Sequence, residues 1–194
     1  MGSTAKRTGS RFTYADYLTW PAAERWEIIG GEAYAMTPAP TLRHQKIAGN
    51  LFASFAAFFK GKTCVPFYAP TDVVLDDHNV VQPDILVVCD KDKMTEANIQ
   101  GAPDLVVEIL SPSTGLRDKR EKKALYERFG VREYLVVDPE HEMVERFVLT
   151  DGSYGSEEAY GWEETLSLAI FPDLALDLWE VFDKEAPQQE EMEP

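Results

Sequence analysis

The sequence predicts a single mixed α/β domain, because short apolar runs of strand character alternate with two longer segments of helical periodicity. In the first helical segment Ile47, Leu51, Phe55, Phe58 and Phe59 recur at helical spacing. In the second, residues 116–129, a turn of about 100° per residue gathers Lys122, Leu125, Tyr126 and Phe129 on one face. Between them the run 105–110, Leu-Val-Val-Glu-Ile-Leu, reads as a central strand covered on both sides.

The remaining elements follow in chain order. Thr13 caps a short helix over 14–18 that stops at Pro21. Residues 27–29 and 32–36 form a hairpin about the turn Gly30-Gly31, where glycine supplies the positive φ a two-residue turn needs. Thr41 then opens the first long helix, and strands are expected at 65–68, 72–75 and 80–88. The polar stretch 90–101 reads as a loop or short irregular helix. Gly130 ends the second long helix, and a strand over 133–137 closes at Asp138-Pro139. A C-terminal hairpin from 144, an edge strand near 166–170 and a last short helix or turn over 174–182 complete the pattern. The domain is placed at 12–182, preceded by a flexible start over 1–11 and followed by an acidic, disordered tail over 183–194.

Composition bounds the function. Hydrophobic residues make up 44% of the chain, enough for a substantial core, and no apolar run approaches the ~20 residues of a membrane span. The first ten residues lack the apolar segment of a secretory signal. Cys64 and Cys89 each adjoin apolar residues and are read as free buried thiols, which fits a cytoplasmic protein. A formal net charge of −15 argues against simple electrostatic attraction to nucleic acid. The distribution softens that objection: seven basic residues face three acids between Gly115 and Arg132.

Glu108 carries the chemistry. A lone carboxylate inside a buried strand loses its hydration, at an effective cost of the order of several kcal/mol, so it demands a cation, a metal or hydrogen-bond donors. Asp84, directly after Pro83 at the head of Ile-Leu-Val-Val, is a second carboxylate on an apolar strand, and two such acids point to a metal site. Lys122, on the inward face of the following helix, is the candidate cation. Weaker candidates are Glu32, which could complete the acidic cluster, His44 near a helix start, and Tyr126 one turn beyond Lys122.

Taken together, Val81-Gln82-Pro83-Asp84, the stretch Pro103-Asp104 through Glu108 to Ser113, Glu121-Lys122-Lys123 and Gly130-Val131-Arg132-Glu133-Tyr134 resemble the Uma-type restriction endonucleases of the PD-(D/E)XK nuclease superfamily. The resemblance implies a restriction-endonuclease-like αβββαβ core with a mixed central sheet, extended by the N-terminal and C-terminal hairpins. It further implies Mg²⁺ or Mn²⁺ held by Asp84, Glu108 and the Ile109 carbonyl, with Lys122 in the catalytic set. The superfamily's usual lysine would stand two positions after the glutamate, where this chain has Leu110, and in this family the cation is thought to have moved to the following helix. Lys119 and Lys123 are expected to meet nucleic acid, DNA in the first instance, and a homodimer is expected.

Three functional classes follow, in order of rank. The first is a metal-dependent endonuclease hydrolysing phosphodiester bonds; hard oxygen ligands suit Mg²⁺ or Mn²⁺ better than zinc. The second is a catalytically inactive homodimer that keeps the fold as a binding or scaffold module, favoured by Leu110 and the net charge. A small-molecule hydrolase ranks third, because no Ser-His-Asp elbow is present.

Overall fold

A computed structural model describes residues 6–7, 11–21, 24–36, 40–111 and 115–188, with the side chains of 6–7 and 115–119 excepted. Two sheets organise it. The first has six strands in the order β1 (Lys6–Arg7), β3 (Glu32–Ala35), β2 (Trp26–Ile29), β6 (Asn79–Val81), β5 (Val73–Asp76) and β8 (Ile99–Gln100). The second runs β12 (Ser153–Tyr154), β11 (Met143–Thr150), β10 (Glu133–Asp138), β9 (Leu105–Ile109), β7 (Ile85–Val88) and β4 (Val65–Tyr68), with β13 (Glu158–Gly161) also on β11. A small pair, β14 (Thr165–Ser167) and β15 (Ala175–Asp177), lies apart. The helices are α1 (Tyr14–Tyr17), α2 (Leu42–Phe59), α3 (Gly115–Phe129) and α4 (Leu178–Val181).

Strand β9 lies between β7, antiparallel to it, and β10, parallel to it, so the sheet is mixed. Its side chains alternate as a doubly covered strand requires. Leu105, Val107 and Ile109 join Ile47, Leu51, Phe55 and Phe59 of α2 and the C-terminal segment in one core. Val106 points the other way, into a second core with Leu125 and Tyr126 of α3 and Val73, Leu75, Val81 and Ile99 of the first sheet. Glu108 shares the face of Val106 and is therefore held between the two sheets.

Each long helix has a cap among the described residues. Thr41 accepts a hydrogen bond from His44 N at 3.2 Å at the start of α2, and Gly130 takes φ +83° after α3. At α1, Thr13 and Asp16 form a reciprocal capping box.

The structure departs from expectation in four places. The anticipated strand over 80–88 is two strands in different sheets, because Gln82-Pro83-Asp84 leaves the ladder and carries the chain from β6 to β7. Proline has no N–H to donate, so the crossing sits where a ladder bond would be lost. The loop 90–101 contains a 3₁₀ turn over Lys91–Lys93 and the strand β8. Cys64 and Cys89 are joined in a disulfide rather than free. The antiparallel register of β4 on β7 pairs Val65 with Val88, which brings the two flanking cysteines face to face. The flexible start contains the short strand β1, and the head of the acidic tail is tied down by Lys46–Asp183 at 3.2 Å and Lys184–Glu142 at 2.7 Å. Tail residues 189–194 lie outside the described residues.

Candidate active site

The crossing from β6 to β7 sets the site. Register between β7 and β9 pairs Ile85 with Val107, and one further step places Asp84 across from Glu108. Directly opposite residues of antiparallel strands present neighbouring side chains. Asp84 Oδ2 accepts the Ile109 N–H at 2.7 Å, which fixes the aspartate against the end of β9.

Lys122 reaches in from α3 as its helical phase predicts. It is 5% exposed, and its Nζ lies 3.0 Å from Glu108 Oε1 and 2.8 Å from Glu27 Oε1. Tyr126, one turn on, donates its hydroxyl to the same Glu108 oxygen at 2.7 Å. Glu108 Oε1 thus serves two donors, and Oε2 stands outside both of these bonds. The side chains of Asp84 and Glu108 remain 21% and 13% exposed, and both line one cavity of about 1060 Å³.

Glu27 was not singled out in the sequence. It sits on β2, in the first sheet, and also accepts the Gln82 N–H at 3.0 Å, two residues before Asp84. Its signal was present: a glutamate within the apolar strand Trp-Glu-Ile-Ile is the same anomaly as Glu108 in β9. Glu32, the residue favoured instead, is exposed on β3 and accepts the Tyr34 hydroxyl at 2.7 Å; it does not line the cavity. The two-residue turn displaced the candidate acid by one strand. Asp72 is bound by Tyr17 and the Gln82 amide, at 2.9 and 2.7 Å.

His44 comes from the first turn of α2 and meets Asp84, with Nε2 3.3 Å from Oδ2. Its buried Nδ1 has no partner among the described residues. Burial opposes a charge on the ring, but the hydrogen bond and charge of Asp84 outweigh it and raise the pKa above the ordinary 6.5. Lys123, expected to meet nucleic acid, does not line the cavity; its Nζ lies 3.8 Å over the Phe147 ring. The side chain of Lys119 lies outside the described residues. Leu110 lines the cavity where the superfamily lysine would stand.

Electrostatics follow from burial. Loss of water raises the Glu108 pKa to about 7; Lys122 pulls it down, while Asp84 and Glu27 push it up. Burial also penalises the Lys122 ammonium, yet Glu108 and Glu27 hold its pKa well above the usual 10.5. Two carboxylates, Glu27 and Glu108, therefore converge on one lysine, while Asp84 meets His44 at the edge of the site. The described residues contain no ready-made cage of three or more His, Cys, Asp or Glu ligands. Asp84 and Glu108 line the same cavity and offer hard carboxylate oxygens, the donor chemistry of a small hard cation that is bound through one or two carboxylates and keeps several waters.

A model of the Uma2 family, described as "Putative restriction endonuclease", matches residues 14–178. The chain belongs to that family. The chain is 30% identical over 126 residues to the uncharacterized protein slr1290 of Synechocystis sp., spanning 63% of this chain and 66% of that relative. In fold it resembles a solved structure from Anabaena variabilis, described as a "putative nuclease belonging to DUF820", with a TM-score of 0.74 and 20% identity. The match covers 89% of this chain and 98% of the other. The fold is accordingly restriction-endonuclease-like, as expected. No helix among the described residues is long and apolar enough to cross a membrane.

Proposed function

We propose that this site hydrolyses phosphodiester bonds in DNA with Mg²⁺ or Mn²⁺ bound at Asp84, Glu108 and the Ile109 carbonyl. The observation that carries the reading is the placement of Lys122 Nζ, 3.0 Å from Glu108 on a cavity that Asp84 also lines. A bound divalent ion supplies Lewis acidity toward a phosphoryl oxygen and lowers the pKa of an attacking water. The chain's own residues supply the rest. Lys122 keeps its proton and offers a fixed positive charge beside the reacting group. Tyr126, whose pKa is raised well above 10.0 by burial and by Glu108, stays a donor and holds the Glu108 carboxylate in one orientation. Ile109 N–H fixes Asp84 in the same way. Glu27 positions Lys122 directly and Asp84 through the Gln82 backbone.

A second reading is the homodimeric binding or scaffold module without catalysis. The absence of a three-ligand cage among the described residues, Leu110, and the net charge of −15 favour it. Incubation of single-stranded and duplex DNA with Mg²⁺, Mn²⁺ or EDTA separates the two. Cleavage that needs the ion and disappears in Asp84→Ala and Glu108→Ala supports the nuclease. Cleavage that survives in both variants overturns it, and so does complete inactivity together with no rise in Tm on adding Mn²⁺.

A further inference from the structure

The lining of the cavity has two unlike parts. One is ionic: Glu27, Asp84, Glu108 and Lys122. The other is aromatic and small, made by Ala48, Gly49 and Phe52 along one face of α2 and by Tyr68 on β4. A β-carbon added at Gly49 would meet nothing within 4 Å, so the space above this face is open. Tyr68 is 59% exposed although it sits at the end of a strand. Its ring is braced by the edge of Phe52, with centroids 4.5 Å apart and planes at 63°.

We infer that Tyr68 is a stacking platform for an unpaired base, and that the cavity takes a single-stranded nucleic-acid segment; the inference rests on the nuclease reading above. The platform is tied to the ionic part. Tyr68 pairs with Ile85 across β4 and β7, and Ala69 N donates to Asp84 O at 2.9 Å. A base on the ring therefore brings its sugar–phosphate backbone beside the Asp84 and Glu108 carboxylates.

Chemistry selects the single strand. A base inside a duplex offers a protein only its edges, whereas an exposed aromatic face is used by a base that has left the stack. Charge works in the same direction. A single strand carries a weaker counterion atmosphere per phosphate than a duplex, so a chain of net charge −15 opposes it less.

The test is fluorescence anisotropy on a labelled 12-nucleotide DNA, single-stranded or annealed, with Ca²⁺ replacing Mg²⁺ to suppress cleavage. A second strand carrying 2-aminopurine reports stacking directly. The expected result is tighter binding of the single strand and quenching of 2-aminopurine. Tyr68→Ala should lose the quenching and raise the single-strand Kd on the order of 5- to 150-fold. Tyr68→Phe and Tyr68→Trp should keep both, which separates loss of the ring from loss of the hydroxyl. An unchanged Kd in Tyr68→Ala, no single-strand binding, or a duplex preference that ignores the substitution overturns the inference. Ion-dependent duplex cleavage indifferent to Tyr68→Ala would sink the inference and leave the nuclease standing. Stacking without cleavage would sink the nuclease and leave the inference standing.

Discussion

Lys122 Nζ lies 2.8 Å from Glu27 Oε1, so the ammonium of α3 is bound to the first sheet as closely as to Glu108 in the second. One lysine thereby clamps two sheets across the site. The same Glu27 oxygen receives the Gln82 N–H, at the point where the chain crosses between the sheets toward Asp84. Site geometry and fold integrity consequently share one carboxylate.

Glu27→Ala should cost about 1–3 kcal/mol of unfolding free energy, because it leaves the Gln82 N–H and one side of a buried ammonium without their acceptor. Glu27→Gln keeps an acceptor oxygen and should lose less. Urea denaturation checks this, and an unchanged midpoint in Glu27→Ala would show that the clamp contributes nothing to stability.

Lys122 and Lys123 are neighbours with separate tasks. Lys122→Met should lower cleavage by about 10²–10³-fold, the scale of losing one preorganised charge-stabilising donor. It also unpairs two buried carboxylates, so a stability loss of about 3 kcal/mol should accompany it. Lys123→Met removes only the contact over Phe147, worth about 0.5–2 kcal/mol, and should leave the rate per folded molecule near wild type. Equal losses of rate, measured where circular dichroism shows both variants folded, would remove Lys122 from the catalytic set.

Much of this arrangement was legible in the chain. Glu108 announced itself as a charge in an apolar strand, and helical phase alone turned Lys122 inward. Glu27 carried the same signal, but its strand is short and lies beside the Gly30-Gly31 turn, which drew attention to Glu32. Strand pairing decides which acid reaches the cavity, and pairing is a non-local property. The proline crossing at 82–84 and the facing cysteines are non-local in the same sense. Each depends on which strand lies alongside, and local periodicity does not report that.

Glu108 also gives the metal-free protein a pH dependence of definite sign. Its folded pKa of about 7 exceeds the ordinary 4.5, so between these values the folded state binds more protons than the unfolded chain. Stability in EDTA should therefore fall as pH rises from about 4.5 to about 7 and change little from this group above that. Glu133, also raised by burial, adds a slope of the same sign, so the diagnostic is the difference between wild type and Glu108→Gln. Parallel curves for the two proteins would mean that Glu108 titrates normally.

The Cys64–Cys89 bond offers the last test, because it closes a loop of sequence separation 25 between β4 and β7. Restricting the unfolded chain over a loop of that length is worth about 3.5 kcal/mol on the chain-entropy account, with measured cases spread over roughly 0–5. Dithiothreitol should lower the urea midpoint of the wild type and leave the Cys64→Ser/Cys89→Ser double variant unmoved. The reduced wild type and the double variant should then unfold at similar urea concentrations. Intact mass after alkylation, without and with prior reduction, reports the bond itself. Two alkylated thiols before any reductant is added would return both cysteines to the free state that their apolar neighbours first indicated.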